Sequence, residues 1–193
     1  MAPPGEITRL IVEWQRGSKD AENALYDALY KRLHSIALNY LRSERPNPSM
    51  GATALVHEAY LRFRRSERLE IADSSHFLKL SARVMRQILV DRARALGAAK
   101  RQGEVHAERD HLDMLVSKDS DAEEIIAVDR ALQSLARRSP RQAELVELRY
   151  FAEFSEEEAG AILGISARTV RREWQVAKTR LRAEIDGASP ASE

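Results

Sequence analysis

The sequence predicts an all-α protein, two small helical domains joined by a flexible linker. Three observations predict it. Apolar residues recur at spacings of three and four along most of the chain, and no segment shows the two-residue alternation of a half-buried strand. Aromatic residues make up only 6% of the 193 residues, which suits a core of Leu, Ile, Val and Ala. Residues 97–121 lose the periodicity over about twenty-five positions, longer than loops within one compact domain usually run.

The first predicted helix, residues 6–15, sets Ile7, Leu10, Ile11 and Trp14 on one face. GSKD interrupts it, and a second helix runs from Lys19 to about Leu41 with Ala21, Leu25, Leu29, Leu33, Ile36, Ala37 and Tyr40 inward. RPNPSMG (45–51) is a break with two prolines and a glycine. Thr53 is placed to cap a third helix striped by Leu55, Val56, Ala59, Tyr60 and Phe63. After a charged loop, Ser74 or Ser75 caps a fourth, which carries Phe77, Leu80, Val84, Ile88 and Leu96.

Beyond the linker, residues 122–136 form a helix striped by Ile125, Ile126, Val128, Leu132 and Leu135. Ser139 caps the next, with Pro140 at its first position and Ala143, Val146, Leu148 and Phe151 inward. Ser155 and Glu158 stand at capping-box spacing before another helix. Ser166 caps the last, residues 167–185. The expected division is a domain over 1–97, a linker over 98–121, a second domain over 122–186 and a tail over 187–193. Trp14, Trp174, Tyr26, Tyr30 and Tyr40 read as core or core-edge aromatics, and His34 and His76 as buried structural histidines.

Charge alone identifies no partner, since Lys and Arg total 31 against 30 Asp and Glu. The layout is uneven: residues 1–99 carry 16 cations against 11 anions, while 122–193 carry 11 against 13. The chain has no cysteine, which removes disulfides, thiolate metal sites and cysteine nucleophiles. No apolar run reaches the length of a membrane span, and MAPPGEITRL has no signal-peptide core, so a cytoplasmic protein is expected. HEAYL (57–61) begins like a zinc-protease HExxH, but Leu61 takes the place of the second histidine. His106 and His111 sit among acids in the linker without a metal-site pattern. No catalytic, cofactor or metal site is expected.

The stretch EEEAGAILGISARTVRREWQ (156–175) does carry chemistry. A helix-turn-helix needs a tiny residue in its first helix, a left-handed glycine in the turn and an aliphatic plug in its second. Gly160, Gly164 and Val170 stand at those offsets. Alanine is commoner at the first, and Gly160 gives up about 1 kcal/mol of helix propensity against it. Residues 167–182 then hold Arg168, Arg171, Arg172, Lys178, Arg180 and Arg182 against Glu173 alone. Arginine suits guanine edges, and a capped helix start suits phosphate.

From these residues the chain resembles the bacterial sigma-70 factors of the extracytoplasmic-function (ECF) subfamily. ARRSPRQAELVELRYFAEFSEEEAGAILGISARTVRREWQVAKTRLR (136–182) resembles sigma region 4. TALVHEAYLRF (53–63) is similar to the region 2 helix that docks on the polymerase clamp. HFLKLSARVMRQILVDRARAL (76–96) is similar to the region 2 helix that follows it.

The resemblance implies a factor that binds core RNA polymerase at its clamp and flap, directs it to promoters and helps melt them. Arg168, Thr169, Arg171, Arg172 and Gln175 would read the −35 element. Asp73, Ser74, Ser75 and His76 would capture a flipped −10 base, while Arg83, Arg86, Gln87 and Arg94 would hold the opened strand. Val56, His57, Glu58, Tyr60 and Arg62 would contact polymerase. The free protein would be a monomer with no cofactor and no membrane contact, and an anti-sigma factor has a place among its partners.

Two positions depart from the family pattern. GATAL (51–55) replaces the acidic run many members have before the clamp helix, shifting weight onto His57, Glu58 and Arg62. Gln87 stands where many have asparagine. The competing readings are a dimeric helix-turn-helix repressor with an effector pocket and a decoy that binds polymerase without initiating. Co-purification with core polymerase separates the first from a sigma factor, and promoter-dependent transcription separates the second.

Overall fold

The structure is a computed structural model that describes residues 4–41, 51–65, 71–101 and 112–188. Among these residues there are eight α-helices and no strand. The N-terminal half comprises α1 (Pro4–Gln15), α2 (Lys19–Leu41), α3 (Ala52–Arg65) and α4 (Ser74–Arg101). The C-terminal half comprises α5 (Leu112–Arg138), α6 (Pro140–Val146), α7 (Glu156–Leu163) and α8 (Ala167–Ala188).

The apolar stripes meet as their spacing requires. Ile11, Ile36, Leu55 and Met85 bring α1 to α4 together in full burial, with Trp14 edge-on to Phe77 at 6.0 Å. Leu135, Leu145, Leu148 and Val170 do the same in the C-terminal half. The two sets belong to one continuous core, and α5 packs against both α4 and α8. Val56 is 1% exposed within it, so its side chain packs α3 onto its neighbours.

Several helix starts differ from expectation. Thr53 lies inside α3, whose first turn closes on the Gly51 carbonyl through the Leu55 N–H at 3.0 Å. α4 begins at Ser74 itself, and the cap is Asp73, whose Oδ1 accepts the His76 N–H at 2.8 Å. A carboxylate there also complements the helix dipole, which a hydroxyl does not. Ser139 precedes Pro140 as expected, but its side chain makes no capping bond; its backbone carbonyl accepts from Gln142 and Ala143.

Helix also occupies both ends of the stretch expected as linker, since α4 continues to Arg101 and α5 begins at Leu112. Ala98, Ala99, Lys100 and Arg101 are all strong helix formers and outweigh Gly97. Residues 102–111, with His106 and His111, lie outside the described residues. α8 likewise runs past 185 to Ala188.

The helix carrying Leu148 and Phe151 is not regular. After Val146 it widens into a π-helical turn, Glu147–Phe151, closed by the Ala152 N–H on the Glu147 carbonyl at 2.9 Å. The last carbonyls of a helix have no partner within it. Here the Tyr150 carbonyl accepts from the Asn39 side chain of α2. The turn therefore ties the C-terminal half to the N-terminal half.

Candidate nucleic-acid interface

The α7–α8 unit is set by its caps and glycines. Ser155 Oγ accepts the Glu158 N–H at 3.1 Å, and Glu158 Oε2 accepts the Ser155 N–H at 2.7 Å, a complete capping box. Gly164 ends α7 at φ +66°, where a side chain would be strained. Ser166 Oγ accepts the Thr169 N–H at 3.2 Å and starts α8. Val170 is fully buried as the plug between the helices. A Cβ on Gly160 would lie 2.6 Å from the Ile165 carbonyl oxygen, so the tiny residue is a steric requirement that even alanine fails.

This frame turns a cationic face outward. Arg168, Arg171, Arg172 and Gln175 are exposed, and Thr169 is half-buried beside the cap. Glu173, the one acid among these residues, points the other way: it is buried and accepts from Arg141 Nε of α6 at 3.0 Å. Trp174 is half-buried against the core, as expected. Arg171 bends back to Glu156 at the start of α7, giving its Oε2 two N–H bonds of 2.9 and 2.6 Å. These bonds hold the Glu156 carboxyl below its usual range and raise the Arg171 guanidinium in turn.

α4 brings together Lys79, Arg83, Arg86 and Arg94, but not toward solvent alone. Arg83 Nη2 lies 2.9 Å from Glu147 Oε2, and Arg86 Nη2 lies 3.4 Å from Glu147 Oε1. Arg86 Nε meets Asp129 Oδ1 at 3.4 Å, and Arg94 Nη2 approaches Asp129 Oδ2 at 3.8 Å. Lys79 pairs with Glu144. The Arg86 side chain is only 14% exposed, over the ring of Phe151, which stacks on Tyr40 at 4.8 Å. Burial pushes the Tyr40 phenol well above its usual range, and its O–H donates to the Ala82 carbonyl at 2.7 Å. Gln87 is exposed and donates to Asp91 Oδ1 at 2.7 Å, while Arg62 of α3 takes the other oxygen of Asp91 at 3.0 Å.

The turn before α4 is tightly bonded. Asp73 caps the helix, and His76 Nδ1 accepts the Ala72 N–H at 3.2 Å, which leaves His76 exposed rather than in the core. Ser74 and Ser75 are half-buried. Between this turn and α7 lies an open groove of about 510 Å³, with Lys79, Glu158 and Ile162 on its walls.

On α3, His57 is exposed and Glu58, Tyr60 and Arg62 are half-buried. Tyr26 of α2 packs on Tyr60 at 5.2 Å and His57 at 6.3 Å, so this face carries an aromatic cluster. His34 is half-buried beside Tyr30.

A search of curated proteins gives no match. The family model described as ECF sigma factor matches residues 4–187, nearly the whole chain. The chain belongs to the ECF sigma factors. It is a transcription initiation factor, a regulatory protein that works with RNA polymerase on promoter DNA. Among the described residues of this sigma factor, no group of His, Cys, Asp and Glu could hold a metal ion, and no helix is long and apolar enough to cross a membrane.

Sequence reasoning placed the cations of this sigma factor but missed the carboxylates that face them. Asp129 carried a signal. It follows Ile125 by four residues and precedes Leu132 by three, so it interrupts the apolar stripe of α5. Glu147 follows Ala143 by four and precedes Phe151 by four. An acid on an inward stripe needs a buried partner.

Proposed function

We propose that the protein brings core polymerase to two-part promoters and reads each part with a different half. The outward face of α8 supports the upstream assignment: Arg168, Thr169, Arg171, Arg172 and Gln175 would lie in the major groove at the −35 element. Their setting carries the reading, because the fold turns Glu173 inward and keeps Arg168, Arg171 and Arg172 exposed. Each bidentate arginine–guanine contact discriminates by about 1–3 kcal/mol.

In the same reading, Asp73, Ser74, Ser75 and His76 meet a −10 base, and Arg83, Arg86, Gln87 and Arg94 hold the opened strand. His57, Glu58, Tyr60 and Arg62 dock on the clamp, with Val56 supporting their helix from beneath. The C-terminal half meets the flap. The factor acts as a cytoplasmic monomer when free, performs no catalysis and is open to control by an anti-sigma factor.

Transcription in vitro with core polymerase on a genomic fragment library tests this. Start sites should follow a shared two-part element. R168A and R172A should weaken use of the upstream half selectively, by about tenfold or more. Equal loss on unrelated templates would overturn the assignment, and absence of initiation on any fragment would overturn the function.

A further inference from the structure

Three arginines stand exposed at the start of α8, and one of them is held. Arg168 and Arg172 have no carboxylate partner among the described residues. Arg171 gives both its Nε–H and an Nη2–H to Glu156 Oε2, at 2.9 and 2.6 Å. The two residues meet across the turn because Gly160 and the buried Val170 let α7 and α8 close on each other. Glu156 opens α7 directly after the Ser155 cap, where the helix dipole favours a carboxylate. Its side chain is 20% exposed against 68% for Arg171, so the acid is the seated partner and the guanidinium reaches out from it. Arg149, a second cation that favours the Glu156 carboxylate, bonds the Phe154 carbonyl through Nη1 at 2.5 Å.

From this contact we infer that Glu156 is a positioning residue for base recognition: it holds the Arg171 guanidinium by one edge and leaves the other for a guanine. The inference rests on the −35 reading proposed above for α8. A guanidinium presents its N–H donors in a rigid fork. Glu156 takes the Nε/Nη2 edge, and the Nη1/Nη2 edge keeps the paired donors that match guanine O6 and N7. Neither bond to Glu156 has to break when the base arrives, so the acid does not compete with DNA for Arg171.

An exposed ion pair contributes little to stability, so what this one supplies is orientation. A free arginine chain gives up rotamer freedom when it docks, and a chain already fixed has less to lose. A free chain also swings to a neighbouring phosphate when its base is wrong, whereas a held one is left with unpaired donors. The base pair facing Arg171 is therefore the most strictly specified of those that the three arginines meet. Glu157 provides a contrast within the same turn. It is exposed and acts on Arg171 by charge alone, without a hydrogen bond.

Holoenzyme assembled from core polymerase and the full-length chain is assayed on promoters whose upstream element is varied one base pair at a time. R171A marks the base pair that Arg171 faces, as the position where preference is lost. E156A should relax preference at that same position by about fivefold, the lower end of what one bidentate contact discriminates. Preference at the positions that R168A and R172A mark should stay as in the parent. E156Q, whose amide oxygen still accepts an N–H, should restore part of the preference, and E157A should retain all of it. E156M, which keeps the length of the chain without an acceptor oxygen, serves if E156A does not fold, with the same relaxation expected. An unchanged profile in E156A or E156M, while R171A loses a position, overturns the positioning role. Equal relaxation at every position, or the same change in E157A, assigns the effect to net charge and overturns it as well. No position lost in R171A overturns the reading by Arg171 instead, so the two failures are distinguishable.

Discussion

A Cβ on Gly160 would stand 2.6 Å from the carbonyl oxygen of Ile165. The atom in the way is backbone, in the turn that sets α8 against α7, and cannot move without moving the turn. G160A gains about 1 kcal/mol of helix propensity and loses roughly 1–3 kcal/mol to overpacking. We expect net destabilisation, read as a lower urea midpoint, together with weaker use of the upstream promoter element. A midpoint at or above that of the parent would show that the turn yields freely.

The caps give a paired contrast. Asp73 and Ser155 each accept a backbone N–H through their side chains, whereas Ser139 makes no such bond and Ser74 lies within the first turn of α4. D73A and S155A should each cost about 1 kcal/mol, while S74A and S139A should stay within about 0.5 kcal/mol. Denaturant unfolding of the four variants decides it, and equal losses across all four would remove the distinction.

The capping result shows how far the sequence could be read. Capping boxes, left-handed glycines and apolar plugs are local, so Ser155, Gly164 and Val170 could be placed from spacing alone. Where two or three polar residues adjoin a helix start, spacing does not choose among them, and the carboxylate of Asp73 took the place expected for a serine. The α4 arginines were legible as a stripe, but their partners lie on other helices, joined to them only by tertiary packing. The π-helical turn that carries Glu147 has no local signature at all, because ELRYF reads equally well as regular helix.

Glu158 links acid sensitivity to two contacts at once. Burial alone raises its carboxyl, but the Ser155 N–H bond and the Arg32 pair at 3.3 Å outweigh it and hold the group below its usual range. A carboxyl whose pKa falls on folding contributes stability above the unfolded value of about 4.3. That contribution fades as pH drops through the lower folded value. E158Q keeps a side chain able to complete the capping box and removes the charge. It should be less stable than the parent near neutral pH, with the difference shrinking below about pH 4. A difference independent of pH would mean that the charge has no part in it.

Glu173 and Arg141 share one ion pair but do not share burial. The Glu173 side chain is 12% exposed and that of Arg141 is 58% exposed. Removing Arg141 leaves a carboxylate enclosed without its cation, whereas removing Glu173 leaves a guanidinium that turns to water. R141M should therefore cost on the order of 1–3 kcal/mol, and E173M about 1 kcal/mol or less. The double variant R141M/E173M should recover part of the R141M loss, because no charge then remains enclosed. Urea unfolding of the three proteins measures the cycle. E173M should also leave upstream-element use intact, since Glu173 lies on the inward side of α8 and its loss does not alter the arginines outward. A loss for E173M equal to or greater than that for R141M would show that the acid contributes through packing rather than through the pair.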